Sequence, residues 1–477
     1  MGTAEGLALS FGWGAKEETV ATLKRQLGFW EGVALSVGIM APTAAMALNG
    51  ALAASIAGTA VGLAFLGAVV TIILVSYSFI EFSRQYAHAG SVYVFNGVAF
   101  GPRMGFLSGW SLLLTYTAFT AASTAEVGLF FGTLSAILGV SLHWFIPSAV
   151  AGVLIWWLAH REIQLSTRTT LGIEILSVGL ILVLALAILG QGGESGISVR
   201  PFSLGGAGAS AVALASVFAF LSFAGFEGAA TLGEETADPT RSIPRAIAAA
   251  VFFTGTFYLL VSYAQAVGFG STTKGAARFA ESSSPLSDLA QTYIGRTMAV
   301  AIAFGATISA FASALGTANA GSRILYALGR DGFGPKALGS THARFASPYI
   351  AVAVVMTIDF VVNLALITQD PGNIFGWLGT IGVLSLLLVY LVTQVAAISL
   401  FKRIGRWRGS RFVIPVAAIV LLAYTLLANV YPVPAFPFNL FPYVVLAWLI
   451  VGAIVMLTRP DVVRRIGEDF TNRRVQV

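Results

Sequence analysis

The sequence predicts an all-helical protein that crosses a membrane about twelve times, and three observations carry that reading. First, 57% of the 477 residues are hydrophobic and only 10% are charged, against about 25% charged in a soluble domain. A soluble fold of this size cannot hide so much apolar surface. Second, the apolar residues gather into runs near the ~20 residues that a spanning helix needs. Third, the basic residues between those runs alternate from loop to loop.

Taken in order, the runs cover 29–52, 60–82, 104–127, 144–159, 170–189, 213–232, 247–268, 298–321, 350–366, 380–400, 412–430 and 441–457. The fourth and ninth are short. The loops between them are too brief for a soluble domain. The longest, 269–297, has room for a short interfacial helix, and Tyr431-Pro432-Val433-Pro434 cannot be helical throughout.

Orientation follows from counting Lys and Arg. Of 27, only Arg200, Lys274, Arg278 and Arg296 fall in one set of alternate loops, and the other 23 fall in the opposite set. Basic residues mark the cytoplasmic side, so both termini are expected inside. A miscounted span would spoil the alternation, so the asymmetry also supports an even number. The basic cluster Lys402, Arg403, Arg406, Arg408 and Arg411 then faces the anionic cytoplasmic leaflet.

Composition also excludes chemistry. The net charge of +6 lies in short loops rather than on one face, which argues against nucleic-acid binding. The absence of cysteine removes disulfides, thiolate metal sites and cysteine nucleophiles. His88, His143, His160 and His342 fall in loops or at span ends with no metal-ligand spacing. No phosphate-binding loop is present to support ATP drive. The first 27 residues contain Lys16, Glu17, Glu18, Lys24 and Arg25 without an apolar core, unlike a signal peptide.

Two runs carry internal breaks. The first reads Ser36-Val37-Gly38-Ile39-Met40-Ala41-Pro42-Thr43, where Pro42 removes a backbone donor. The sixth reads Phe223-Ala224-Gly225-Phe226-Glu227-Gly228, with a carboxylate between glycines. Irregular backbone at membrane depth is tolerated where it lines a cavity. Breaks five spans apart, in runs of opposite direction, point to inverted repeats with a midplane binding site.

At these residues the chain resembles the amino acid–polyamine–organocation (APC) transporter superfamily, over nearly its whole length. The resemblance rests on Ser83-Arg84-Gln85-Tyr86, Ala89-Gly90-Ser91-Val92-Tyr93, Gly101-Pro102-Arg103, Asp238-Pro239-Thr240-Arg241-Ser242-Ile243-Pro244-Arg245 and Ser322-Arg323 with Arg330-Asp331-Gly332. It implies a LeuT-like fold: two inverted five-helix repeats at 28–200 and 201–401, two further helices at 402–458, and cytoplasmic segments at 1–27 and 459–477. It implies a bacterial plasma-membrane secondary transporter, without enzymatic activity or cofactor, that moves an amino acid or amine by alternating access. Its expected partners are that small molecule and the lipid bilayer, with no obligate protein partner.

The chemistry then assigns candidate residues. A substrate carboxylate needs N–H donors, expected from Gly38, Ile39, Met40, Ala41 and Thr43 at a half-helix start. A substrate ammonium needs carbonyls or aromatic faces, expected near Phe220, Phe223, Ala224 and Gly225. Tyr116 offers a hydroxyl to the same pocket. Acids inside the membrane are costly and usually functional. Glu227 and Glu174 are therefore the expected ion-coupling groups, and Glu126 and Asp359 are read as helix-packing acids. Some proton-coupled relatives place a lysine where Glu174 stands here, so that lysine mechanism does not carry over. Ser313 aligns with hydroxyls lining a sodium site in related folds, so the coupling ion is H+ with Na+ as the alternative. Charges at Glu234, Glu235, Arg241 and Arg245 are candidates for a cytoplasmic gate with Arg84 or Arg323. A sodium-coupled symporter or exchanger of polyamines is the second reading. A passive channel is the reading from a different class; it needs polar residues repeated along several spans, and the runs instead hold isolated acids among bulky apolar residues.

Overall fold

The computed structural model describes residues 27–463 apart from 87–90, 162–164, 233–235, 343, 346, 404 and 406–408. The expectations placed on His88, Ala89, Gly90, Glu234, Glu235, Arg406 and Arg408, on 1–26 and on 464–477 lie outside the described residues.

Every apolar run read from the sequence is helical. The first is split into α1 (Phe29–Met40) and α2 (Pro42–Ala57), followed by α3 (Val61–Ser83). A short α4 (Ser91–Phe100) precedes α5 (Pro102–Ile137), then α6 (Phe145–His160) and α7 (Leu165–Gly190). The second interrupted run is α8 (Ala209–Phe223) continued by a 3-10 turn, Phe226–Leu232. After α9 (Pro239–Gly268), the long loop holds α10 (Thr273–Glu281) and α11 (Pro285–Tyr293), two short helices where one was expected. Then come α12 (Arg296–Asp331), α13 (Tyr349–Ala365), α14 (Pro371–Arg403), α15 (Gly409–Ala428) and α16 (Phe441–Leu457).

Among the described residues, eight stretches are long and apolar enough to cross a membrane by length and composition, and α6 and α13 are shorter apolar helices. Helix α5 runs ten residues beyond the end read from the sequence. Its Ser, Thr and Gly content lowers its hydropathy, but those residues let it pack tightly against α12 and α14. The sole β pairing among the described residues is the Leu27–Thr236 bridge.

The outer helices have the wrong surface for water. Helix α16 exposes Val444, Leu446, Ile450, Val451, Ile454 and Leu457. An apolar face of that extent is a lipid or partner surface. Helix α2 is the opposite case: thirteen of its sixteen residues are buried, and a helix apolar all round belongs inside. It packs against α8, α10 and α12. The bundle therefore closes around α2, α5, α8, α12 and α14, and both interrupted helices lie in that centre.

Candidate functional site

The first break has a simple cause. Pro42 carries no N–H and disfavours helical geometry at the residue before it. Ala41 accordingly adopts φ 44°, ψ 64°, the one non-glycine residue with positive φ among those described. Its N–H still donates to Val37 O at 2.9 Å, and Pro42 restarts the helix at its first position, where proline is tolerated. The new N-terminus is capped from outside. Thr43 N–H donates to Glu174 Oε1 at 2.8 Å, and Ala44 N–H donates to the Ser309 hydroxyl at 3.1 Å.

This geometry reverses the polarity read from the sequence. Gly38, Ile39 and Met40 belong to the last turn of α1, so their N–H groups serve that helix. The amide of Thr43 is already taken by Glu174. What the break releases is carbonyls. In an unbroken helix Gly38 O, Ile39 O and Met40 O would accept from residues 42, 43 and 44; one of these is proline and the other two donate to Glu174 and Ser309. In this conformation the end of α1 offers acceptors, the negative end of its dipole, rather than donors for a carboxylate.

The second break is locked onto the first. Ala224 N–H folds back to Leu221 O at 3.2 Å, a tighter bond that bypasses Phe220 O. Gly225 follows at φ +107°, where a side chain is strained. A Cβ on Gly225 would overlap Ile39 Cγ2 and lie 2.7 Å from Ile39 Cβ, and one on Gly228 would lie 2.8 Å from Ile39 Cδ1. Ile39 therefore sits in a notch of two glycines. Ser36 completes the join: its hydroxyl donates to Phe226 O at 2.9 Å and accepts from Ala229 N–H at 3.0 Å. One α1 serine thus satisfies two backbone groups of the unwound segment.

A cavity of about 30 Å³ lies against both breaks. Ile39, Met40 and Ala41 line it from the first, and Leu221 and Ala224 from the second. Asn49 of α2, Ser123 and Glu126 of α5, Ser313 and Thr317 of α12, and Phe375 of α14 complete the polar and outer walls. The space suits a water or two, not an amino acid. The centre is contracted here, and a solute needs the walls to part.

The expected residues divide on this cavity. Ile39, Met40, Ala41, Ala224 and Ser313 line it; Gly38, Thr43, Tyr116, Phe220, Phe223, Gly225, Glu174 and Glu227 do not. Phe223 stacks edge-on against Tyr258 of α9, with ring centroids 4.9 Å apart. Tyr258 OH in turn donates to the freed Ser222 O at 2.6 Å. The break leaves residues 221 and 224 on the cavity face, and 220 and 223 turn elsewhere. Sequence spacing groups 220 with 223 but does not say which face is inside.

Glu227 is buried in a clasp of two tyrosines. Tyr116 OH of α5 donates to one carboxylate oxygen at 3.3 Å, and Tyr390 OH of α14 donates to the other at 2.9 Å. Glu174 sits instead at the start of α2. Ser309, not Ser313, shares that spot; Ser313 lies one turn further along α12 and bonds Ser123 at 3.1 Å. Residues four apart share a helix face, so the pattern alone does not fix the turn. Sequence reasoning missed Asn49 and read Glu126 as a packing acid. Both are buried on the cavity, and Glu126 Oε1 and Asn49 Oδ1 have no hydrogen-bond partner. Asp359 accepts from Asn363 Nδ2 at 3.0 Å, within α13 itself.

The acids of the expected gate, Glu234 and Glu235, lie outside the described residues, so its pairing with Arg84 or Arg323 is not described. Arg84 pairs with Glu81 at 2.5 Å, and Arg241 lies 3.9 Å from Asp238. His160 and His342 do meet, with ring centroids 5.0 Å apart. The Nδ1 of His342 accepts from the amides of Arg344 and Phe345 at 3.2 and 3.4 Å, so this nitrogen closes a turn. No group of three or more metal-ligating side chains occurs among the described residues.

Comparison with known proteins gives the family. The profile of a family described as amino acid permease matches residues 27–455. An uncharacterized transporter of Mycobacterium tuberculosis is 28% identical over 404 residues, covering 85% of this chain and 87% of its own. A branched-chain amino acid permease of Bacillus subtilis is 27% identical over 399 residues, covering 80% and 82%. A low-affinity putrescine importer of Escherichia coli is 26% identical over 298 residues, covering 61% and 64%. A contracted cavity between two interrupted helices, in a bundle with a lipid-type surface, fits what these proteins do: the chain belongs to the amino acid permease family of the APC superfamily and is a membrane transporter, not an enzyme.

Proposed function

We propose that the chain is a proton-coupled secondary transporter that moves an amino acid or related amine across a bacterial plasma membrane by alternating access. In this reading it has twelve spans. Two inverted five-helix repeats, LeuT-like, occupy 28–200 and 201–401, two further helices occupy 402–458, and both termini are cytoplasmic. The observation that carries it is the packing of one broken helix on the other, Ile39 into the Gly225–Gly228 notch, beside a buried cavity. A solute bound there meets elements that either half of the bundle can move. The relatives named for branched-chain amino acids and for putrescine support the substrate class. Glu227 is the proposed proton acceptor, a buried carboxyl at the second break that tyrosine hydroxyls from α5 and α14 reach.

Sodium coupling is the second reading. Glu174 and Ser309 bring a carboxylate and a hydroxyl oxygen to the α1–α2 break, an oxygen set that suits a hard cation. A passive channel fits poorly with a contracted centre walled by Phe119, Leu221 and Phe375. Purified protein in liposomes separates the three. Uptake of labelled leucine, lysine and putrescine is followed under a pH gradient alone, then a sodium gradient alone. Saturable uptake driven by the pH gradient, with counterflow from preloaded vesicles, is expected. Non-saturable flux without counterflow sinks the carrier reading.

A further inference from the structure

The cavity has an unpaired carboxyl group. Among the described residues Glu126 is its only ionisable lining group, and no Lys, Arg or His lines it. The side chain is 2% exposed, and its Oε1 has no partner. Asn49, 1% exposed, lines the same wall. Its amide nitrogen is committed to Ser222 Oγ at 2.8 Å, which fixes the amide orientation, and its Oδ1 has no partner. Two buried acceptors therefore lack donors on one cavity. Leaving such groups unpaired is costly, above all for a carboxylate. The backbone adds to the imbalance. Gly38 O, Ile39 O and Met40 O lose their intrahelical donors at the break, while the N–H groups that would balance them serve Glu174 and Ser309.

We propose that Glu126 and Asn49 form a cation-receiving subsite, and that the substrate is a net-cationic amine: a diamine or a basic amino acid whose terminal ammonium or guanidinium docks there. The assignment rests on the transporter reading and narrows it. An ammonium brings three donors and a guanidinium five, matching a cavity whose open groups are acceptors. Asn49 is eight residues beyond Ala41, or about 12 Å along α2 at helical rise. The subsite is thus set apart from the break, as a second charged group on an extended substrate requires. Ser123, one turn before Glu126, is already engaged with Ser313 at 3.1 Å, so it leaves the carboxylate to the ligand.

The test is uptake by the full-length protein in liposomes, with labelled L-lysine, putrescine and L-leucine, for wild type, Glu126→Gln and Glu126→Asp. Wild type should take lysine or putrescine with a KM at least tenfold below that for leucine. Glu126→Gln should raise the KM for the cations at least tenfold more than it alters that for leucine, while Glu126→Asp keeps the cation preference. Ligand-induced thermal stabilisation of each detergent-purified variant by lysine and putrescine reads binding apart from transport. Glu126→Asp covers the case in which Glu126→Gln misfolds. Leucine preferred by wild type, or Glu126→Gln affecting all three solutes alike, overturns the subsite but spares the carrier. Loss of pH dependence for every solute in Glu126→Gln also overturns it, by making Glu126 a proton site. No uptake of any solute by a correctly folded wild type overturns the carrier and the subsite together.

Discussion

Replacing Gly225 by alanine should loosen the junction between the two interrupted helices, and the structure says by how much and through which atoms. The added Cβ overlaps Ile39 Cγ2 and stands 2.7 Å from Ile39 Cβ, atoms fixed close to the α1 backbone. Overpacking of this kind costs ~1–3 kcal/mol. The φ of +107° adds a further ~1–3 kcal/mol for any residue with a side chain. Together these give ~2–6 kcal/mol. Gly228→Ala is milder, because its Cβ meets only the terminal Ile39 Cδ1, at 2.8 Å, and should cost about 1 kcal/mol. Ile39→Val removes Cδ1 but keeps Cγ2. It should therefore rescue Gly228→Ala and fail to rescue Gly225→Ala, for which Ile39→Ala gives partial relief. Thermal melting of detergent-purified variants, followed by size exclusion, reads the series. Gly225→Ala as stable as wild type, or Ile39→Val rescuing both alike, would refute the interlock.

Other expectations follow from individual contacts. Glu227→Gln should insert normally but lose pH-driven uptake, and Tyr116→Phe or Tyr390→Phe should each cost ~1.5–3 kcal/mol, the usual range for a bond to a charged group; full uptake with unchanged pH dependence in Glu227→Gln removes it from coupling. Glu174→Ala leaves the Thr43 amide unpaired and should destabilise by ~1–3 kcal/mol. Glu174→Gln keeps an acceptor and should melt like wild type, so equal melting of the Ala and Gln variants contradicts the cap. Trp110 and Trp448 stack 4.5 Å apart, each indole N–H donating to the other's carbonyl at 2.8 Å. Trp448→Ala should free α16 to proteolysis ahead of the rest of the bundle, and cleavage unchanged from wild type argues against that clasp.

Much of this arrangement was legible in the sequence because lipid simplifies the code. Apolar length alone finds the helices, and Pro42 and Gly225 mark their breaks through backbone chemistry that depends on no neighbour. Rotation about each helix was not legible. Phe220 and Leu221 differ only in the face they present, and Ser309 and Ser313 only in the turn they occupy; both are set by packing between helices distant in sequence. The donors expected at Gly38–Thr43 failed for a related reason. Pro42 makes the break, but which residues cap the new helix depends on α7 and α12 lying across it. Glu126 read as a packing acid because its cavity is assembled from six helices, and no local pattern encodes a missing partner.

The most direct test of the central claim, that solute binds where the two broken helices meet, exploits the absence of native cysteine. Ala224→Cys places a single thiol on the cavity wall at the second break. Its alkylation by a small water-soluble reagent is timed in liposomes, with and without saturating lysine, putrescine or leucine. The thiol should react, and a transported solute should slow the reaction severalfold. A thiol that reacts at the same rate whether or not a transported solute is present would contradict the claim.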